Sequence, residues 1–216
     1  MSEPLSGRFS VVCRAKAGKK GFLQALRDCP DGGSVLLLEG VYRLKRTLLV
    51  DRSVHIFVRG RAELRGLMPR DSEIIRVRGA ARPSATFDRL RIENQTEVFS
   101  CTLRIDSGHL RLQGGDFHSR IQNPCAALVA VGASTRADVL GCAFRGGGGN
   151  GIAFVNGACG RIEGCDVRGN GAESGIYLTD AGTSSRLPQH DPRLREGGVR
   201  LRRRGPSLVP GRGQRL

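Results

Sequence analysis

The stretch GCAFRGGGGNGIAFVNGACGRIEGCDVRGNGAESGIYL, residues 141–178, repeats its own pattern. Segment 139–145 aligns with segment 162–168, and the two share a Gly-Cys pair and an arginine. A fixed period of twenty-odd residues is typical of solenoid proteins, in which each repeat forms one coil that stacks on the next. The period therefore predicts a repetitive fold.

Short runs in which apolar and polar residues alternate, such as LRIE, LRID and LRLQ, recur along the chain. The alternation indicates strands with Leu or Ile inward and Arg outward. Strands this short are stable only if each coil pairs with the next one. Glycines in RGGGGNG and RGNGAESG then form the corners, where positive φ costs glycine little. We predict an inward stack of Val139, Phe144, Ile152, Phe154, Ile162, Val167, Ile176 and Leu178.

Residues 22–66, FLQALRDCPDGGSVLLLEGVYRLKRTLLVDRSVHIFVRGRAELRG, resemble the opening of right-handed parallel β-helix proteins of the pectin-lyase-like group. The later coils resemble the β-helix repeats of that group, including those in the central region of certain F-box proteins. The resemblance covers residues 18–179 and implies an all-β fold of three-strand coils behind a short N-terminal capping helix. The group contains lyases, hydrolases, epimerases, tailspikes and interaction domains, so the resemblance selects no single function.

The chain divides into three predicted segments. Residues 1–17 form a lead-in strand, residues 18–179 form the right-handed parallel β-helix with a repeat of about 23 residues, and residues 180–216 form a disordered tail rich in Arg, Gly and Pro. No capping element is evident after Leu178, so the C-terminal coil is predicted to be open and to self-associate. The abrupt change of composition at Asp180 favours a fragment of a longer solenoid, or a tail read out of frame.

The seven cysteines are an odd number and include no CxxC pair, so we interpret them as buried thiols, with no metal and no cofactor. The N-terminus lacks the pattern of a secretory signal, and no apolar run reaches the length of a membrane helix. The sequence therefore predicts an intracellular protein, cytoplasmic or nuclear, with no membrane partner.

Evidence for catalysis in the sequence is thin. Acidic residues are sparse on the coils, and glycoside hydrolysis needs two carboxyl groups that face each other. Asp138 aligns with Arg161 one coil away, which predicts a surface ion pair of little energetic value. His109 is interpreted as an ordinary surface histidine. We assign no catalytic residue and favour a protein that is not an enzyme.

Three functional hypotheses follow. The favoured one is a non-catalytic scaffold that presents an outer face to a protein or glycan partner. Its predicted binding residues are Arg145 and Arg168, which align at one corner as a basic ladder, extended by Arg120. One alternative is a carbohydrate-active enzyme, either a polysaccharide lyase or a glycoside hydrolase, or a degenerate relative. The other is association with nucleic acid through the tail, where residues 181–216 carry nine Arg and two acids in a chain of net charge +15.

Overall fold

A computed structural model of the chain describes residues 12–15, 19–96, 100–120, 123, 125–168, 175–179 and 199–202. These residues form one helix and twenty strands. Helix α1 spans Lys19–Asp28, and the strands are β1 Val12–Ala15, β2 Gly33–Leu37, β3 Gly40–Leu44, β4 Leu48–Val50, β5 Val54–Val58, β6 Ala62–Gly66, β7 Ser72–Val77, β8 Ser84–Asp88, β9 Arg91–Asn94, β10 Ser100–Ile105, β11 Gly108–Gln113, β12 Asp116–Ser119, β13 Leu128–Val131, β14 Thr135–Leu140, β15 Ala143–Gly146, β16 Ile152–Val155, β17 Cys159–Glu163, β18 Asp166–Arg168, β19 Ile176–Thr179 and β20 Val199–Arg202.

The strands wind into a right-handed parallel β-helix with three sheets, as the sequence predicts. The first sheet has the order β1-β2-β5-β8-β11-β14-β17, the second β3-β6-β9-β12-β15-β18 and the third β4-β7-β10-β13-β16-β19-β20. Each strand from β2 to β16 therefore lies beside the strand three places further along the chain, and all the pairs are parallel. The result is six three-strand coils stacked one on the next.

The repeat length varies more than the sequence period suggests. One place on successive coils of the first sheet is occupied by Val35, Ile56, Phe87, Leu112, Val139 and Ile162. The step from one of these residues to the next ranges from about 21 to about 31 residues, with a mean of about 25 residues, within the range of solenoid repeats. The predicted period therefore holds only for the C-terminal coils. The corners absorb the difference, since they carry no strand pairing and tolerate insertion.

The interior is a set of stacked apolar rows. In the second sheet one row comprises Tyr42, Leu64, Ile92, Phe117, Phe144 and Val167, each at most 1% exposed. The rings of Phe117 and Phe144 stack with centroids 4.8 Å apart. All eight residues of the predicted inward stack are buried in this core.

Helix α1 caps the N-terminal end of the core, as predicted. Phe22 is fully buried and packs its ring edge-on against Tyr42, with centroids 5.9 Å apart. Strand β1 lies within the predicted lead-in and pairs with β2. Among the residues described, no helix is long and apolar enough to cross a bilayer.

The prediction of a disordered tail requires one amendment. Strand β20 lies within residues 180–216 and pairs with β19, so that Val199 aligns with Ile176. This spacing equals the one between Val139 and Ile162, so it continues the repeat seen in the C-terminal coils. The other residues of the predicted tail lie outside the described part of the chain. Within the described part, β17 and β18 are the last strands of their sheets, and whether the end self-associates stays a prediction.

Two of the seven cysteines are not free thiols, which corrects the sequence interpretation. Cys101 and Cys125 form a disulfide, with their Cα atoms 5.4 Å apart. They are 24 residues apart, and one turn of the solenoid brings them together. Cys142 and Cys165 are buried free thiols, as predicted, and Cys29 is buried. The side chains of Cys142 and Cys165 contact each other across one coil step, and this contact and burial raise the pKa of Cys142.

A buried polar network occupies the corner between the second and third sheets. Asn123 is fully buried, and its Nδ2 donates to the carbonyl of Ser100 at 2.6 Å. Its Oδ1 accepts from the backbone N–H groups of Ser100 at 3.3 Å and Cys125 at 3.0 Å. Asn94 donates to the same Ser100 carbonyl at 3.1 Å. The network satisfies backbone groups that a tight corner would otherwise leave unpaired.

Replacing Asn123 with alanine is expected to lower the free energy of unfolding by about 2–3 kcal/mol, because two buried backbone N–H groups lose their acceptor. Urea denaturation followed by circular dichroism measures the loss. Asn123→Asp keeps the acceptor but buries a carboxylate and places its second oxygen against the Ser100 carbonyl oxygen, so its loss should be at least as large. Equal stability of Asn123→Ala and the wild type would show that the network is energetically neutral.

Candidate functional site

The outer face of the second sheet carries a continuous row of polar side chains. We call this row the charged ladder, and it comprises Arg43, Arg65, Glu93, His118, Arg145 and Arg168, which are Cα partners on successive strands. They point outward because they alternate along each strand with the inward apolar row. The predicted alignment of Arg145 with Arg168 is confirmed.

Arg120 does not extend this ladder. The residue aligned with Arg145 is His118, because Phe117 pairs with Phe144 and fixes the register. Arg120 lies beyond the end of β12, where its backbone N–H donates to the carbonyl of Asn94 at 3.1 Å. The sequence prediction therefore missed the register by two positions.

The C-terminal end of the charged ladder has more positive than negative charge. Asp166 lies between the two arginines, with an oxygen 3.6 Å from Arg145 and 2.5 Å from Arg168. The side chains of Arg145 and Arg168 are 48% and 61% exposed, whereas that of Asp166 is 20% exposed. One carboxylate therefore serves two guanidinium groups, and both of these groups remain open to solvent.

The N-terminal end of the charged ladder brings two carboxylates together. Arg65 Nε lies 2.7 Å from Glu63 and 3.1 Å from Glu93, which is on the next strand. The hydrogen bond from Arg65 is the main cause that lowers the pKa of Glu63. Glycoside hydrolysis needs one carboxyl group that stays protonated, and the guanidinium favours the charged form instead. The pair is therefore suited to holding Arg65 in place rather than to acid catalysis.

A second polar cluster lies on the outer face of the first sheet, centred on Asp138. His109 Nε2 is 3.0 Å from Asp138 Oδ2, and Arg136 Nη2 is 2.9 Å from Oδ1. The Cα alignment of Asp138 with Arg161 is confirmed, but the predicted ion pair between them is wrong, since Arg161 contacts Glu163 instead. His109 is thus held by a carboxylate, which the interpretation as an ordinary surface histidine missed.

Other features offer little chemistry. No group of three or more His, Cys, Asp or Glu side chains able to hold a metal ion occurs in the described ranges. A pocket of about 190 Å³ between α1 and the first coil is lined by Leu26, Arg27, Leu49, Val50, Asp51 and Arg52. Asp51, the one carboxylate in that lining, already contacts Arg52 at 3.2 Å.

Comparison with known proteins adds one distant similarity. No family model matches the chain, and no curated protein matches it. The solved structure of "Geobacillus virus E2 - ORF18" is similar over 81% of this chain, at 12% sequence identity and a TM-score of 0.35. The match covers 55% of that viral chain, so this chain spans about half its length. A similarity this weak does not inform function.

Proposed function

We propose that the chain is a parallel β-helix binding module, and that the outer face of its second sheet holds an acidic group of a protein or glycan partner without catalysis on that face. One observation carries the proposal. Arg145 and Arg168 stand one strand apart, both exposed, and share the single carboxylate of Asp166.

The chemistry of arginine supports an acidic ligand. A guanidinium group donates two parallel hydrogen bonds to a carboxylate, sulfate or phosphate, and its planar fork is already organised for them. Neighbouring parallel strands are about 4.8 Å apart, so the two groups form a pair with fixed spacing. Because Asp166 already contacts both guanidinium groups, the pair loses less conformational entropy on binding, which favours affinity.

The sequence resemblance to the pectin-lyase-like group supports a glycan as one class of partner. That group contains proteins that act on polysaccharides, as well as interaction domains, and the similarity rests on residues 22–66 and the later coils. The face itself offers charge and hydrogen bonds rather than aromatic rings, so recognition would depend on acidic groups. An acidic protein surface would satisfy the same two arginines.

Charge reversal tests the proposal. We expect Arg145→Glu/Arg168→Glu to weaken binding to an acidic polysaccharide, either polygalacturonate or heparin, or to polyglutamate, by at least about tenfold, because each lost charged hydrogen bond is worth about 1.5–3 kcal/mol. Isothermal titration calorimetry at constant salt concentration measures the change. Comparing the saccharides with polyglutamate distinguishes a glycan partner from a protein partner.

The matched control is Arg70→Glu/Arg89→Glu, which makes the same change of charge at side chains that are 78% and 69% exposed and lie off the charged ladder. Equal loss in both double variants would mean that net charge alone attracts the ligand. Unchanged binding by the ladder variant would remove the proposal. Binding to duplex DNA that disappears on deletion of residues 180–216 would instead support the nucleic-acid hypothesis.

A further inference from the structure

Ser84, His109 and Asp138 lie on three consecutive coils of the first sheet. Ser84 begins β8 and is the Cα partner of His109 on β11. His109 in turn bonds Asp138 on β14 through Nε2 at 3.0 Å. All three alternate with buried residues of their strands, so they face outward together.

The backbone fixes the serine beside the histidine. The N–H of His109 donates to the carbonyl of Pro83 at 2.9 Å, immediately before Ser84. Gly108 makes this approach possible, because a Cβ atom there would overlap the Pro83 carbonyl oxygen. Its φ of 88° is also one that glycine adopts without strain. The two strands are therefore joined at the point where the two side chains emerge.

Two polar groups beside His109 have unused hydrogen-bonding capacity. Within the described residues, the Ser84 hydroxyl makes no hydrogen bond, and Arg111 Nε is buried without one. Arg111 follows His109 by two positions on β11 and so lies on the same face. The Nδ1 atom of His109 is also unused, since Asp138 takes Nε2. Asp138 itself is firmly held by Arg136, with 3.1 Å between Arg136 Nε and Oδ2.

We propose that these residues form a hydrolytic site for carboxylic esters, with Ser84 as the nucleophile. The Ser84 side chain rotates toward His109, and its oxygen attacks the acyl carbon while its proton passes to His109 Nδ1. The bond to the alcohol oxygen breaks, and the alcohol leaves with that proton. Water then attacks the acyl-serine by the same route and releases the acid, which restores Ser84.

The other two side chains have distinct roles in this step. Asp138 accepts the Nε2 hydrogen of His109, which selects the tautomer with a basic Nδ1 and stabilises the imidazolium that forms. Arg111 is partly exposed on the same face, and its terminal N–H groups donate to the oxygen that becomes negative during attack. The open face suits an ester, whose alcohol leaves more readily than the amine of an amide. This site lies on a different sheet from the charged ladder and acts independently of the proposed binding function.

A fluorophosphonate reagent and p-nitrophenyl acetate test the site in the full chain. The reagent bonds to the oxygen of an activated serine and releases fluoride, and peptide mass spectrometry identifies the modified residue. We expect label at Ser84 and ester hydrolysis above the buffer rate. Ser84→Ala should abolish the label, and Ser84→Ala and His109→Ala should each lower the rate at least about 100-fold, the range of lost general-base catalysis.

Three further variants sharpen the result. Ser134→Ala removes another exposed serine, at a turn, and should retain both label and rate. Asp138→Asn should lower kcat with KM unchanged and leave the thermal melt intact, because Asp138 is a positioning residue. Arg70→Glu, at a side chain that is 78% exposed and lies off both proposed sites, should retain the full rate. A folded wild type that takes up no label at Ser84, or a Ser84→Ala variant with the wild-type rate, overturns the proposal.

Discussion

Truncating Phe154 to alanine is expected to lower the free energy of unfolding by about 3–5 kcal/mol, the range for buried aromatic residues. Phe154 is 1% exposed and lies on β16 between Ala130 and Leu178 of the neighbouring coils. Its ring fills space that Gly160 leaves open, since a Cβ atom at that glycine would lie 2.9 Å from the ring. The rows on either side are backbone-paired and cannot close over the cavity.

Urea denaturation of the wild type and the Phe154→Ala variant measures this loss. Leu67→Ala is the matched control, because Leu67 is 59% exposed and its truncation should cost less than about 0.5 kcal/mol. A loss below about 1 kcal/mol for Phe154→Ala would mean that the ring does not face the core, and the register of the third sheet would then be wrong.

The core of this fold could be predicted from the sequence because its signal is local. Alternation places Val139 and Ile162 inward whatever the exact partner strand, and the sequence period pairs them directly. The capping helix is equally local, since its apolar spacing marks the side that Phe22 buries. Such patterns do not depend on the length of the corners.

The functional residues depend on corner length, and the sequence does not reveal it. Asp138 meets His109 across 29 positions in the chain, because His109 is the Cα partner of Arg136 and Asp138 lies two positions further along β14. A uniform repeat with the period of the C-terminal coils cannot place that contact. The same variation in repeat length led the sequence prediction to place Arg120 at the position that His118 occupies in the charged ladder. Strand β20 could have been predicted, because Val199 follows Ile176 by the period of the C-terminal coils and the segment VRLR alternates apolar and charged residues.

The sequence interpretation also missed the disulfide, because it considered the wrong spacing between cysteines. Cys101 and Cys125 are separated by 24 residues, which is close to one repeat, whereas CxxC spacing is the pattern sought for metal and redox sites. In a solenoid the relevant spacing is one coil, because that distance brings two side chains onto neighbouring strands. Cys142 and Cys165 are 23 residues apart, also about one coil, and contact each other as free thiols.

Replacing Gly160 with alanine is expected to destabilise the fold by about 3 kcal/mol or more, at the upper end of the cost of overpacking. Gly160 is the Cα partner of Ala137, in an inward row that shrinks from Leu110 through Ala137 to glycine. A Cβ atom at position 160 would overlap the carbonyl oxygen of Ala137 and lie 2.8 Å from its carbonyl carbon. The obstacle is backbone, so β17 can accept a methyl group only by moving away from β14.

Two comparisons isolate this clash in urea denaturation. Gly141→Ala places a methyl group where no atom lies within 4 Å, at a φ of 59°, so it carries only the conformational cost of about 1–2 kcal/mol. Phe154→Ala added to Gly160→Ala removes the ring but leaves the Ala137 carbonyl in place, so it should not restore stability. Suppose that Gly160→Ala is no less stable than Gly141→Ala. Strands β14 and β17 then do not approach each other as closely as in the structure, and their pairing is wrong.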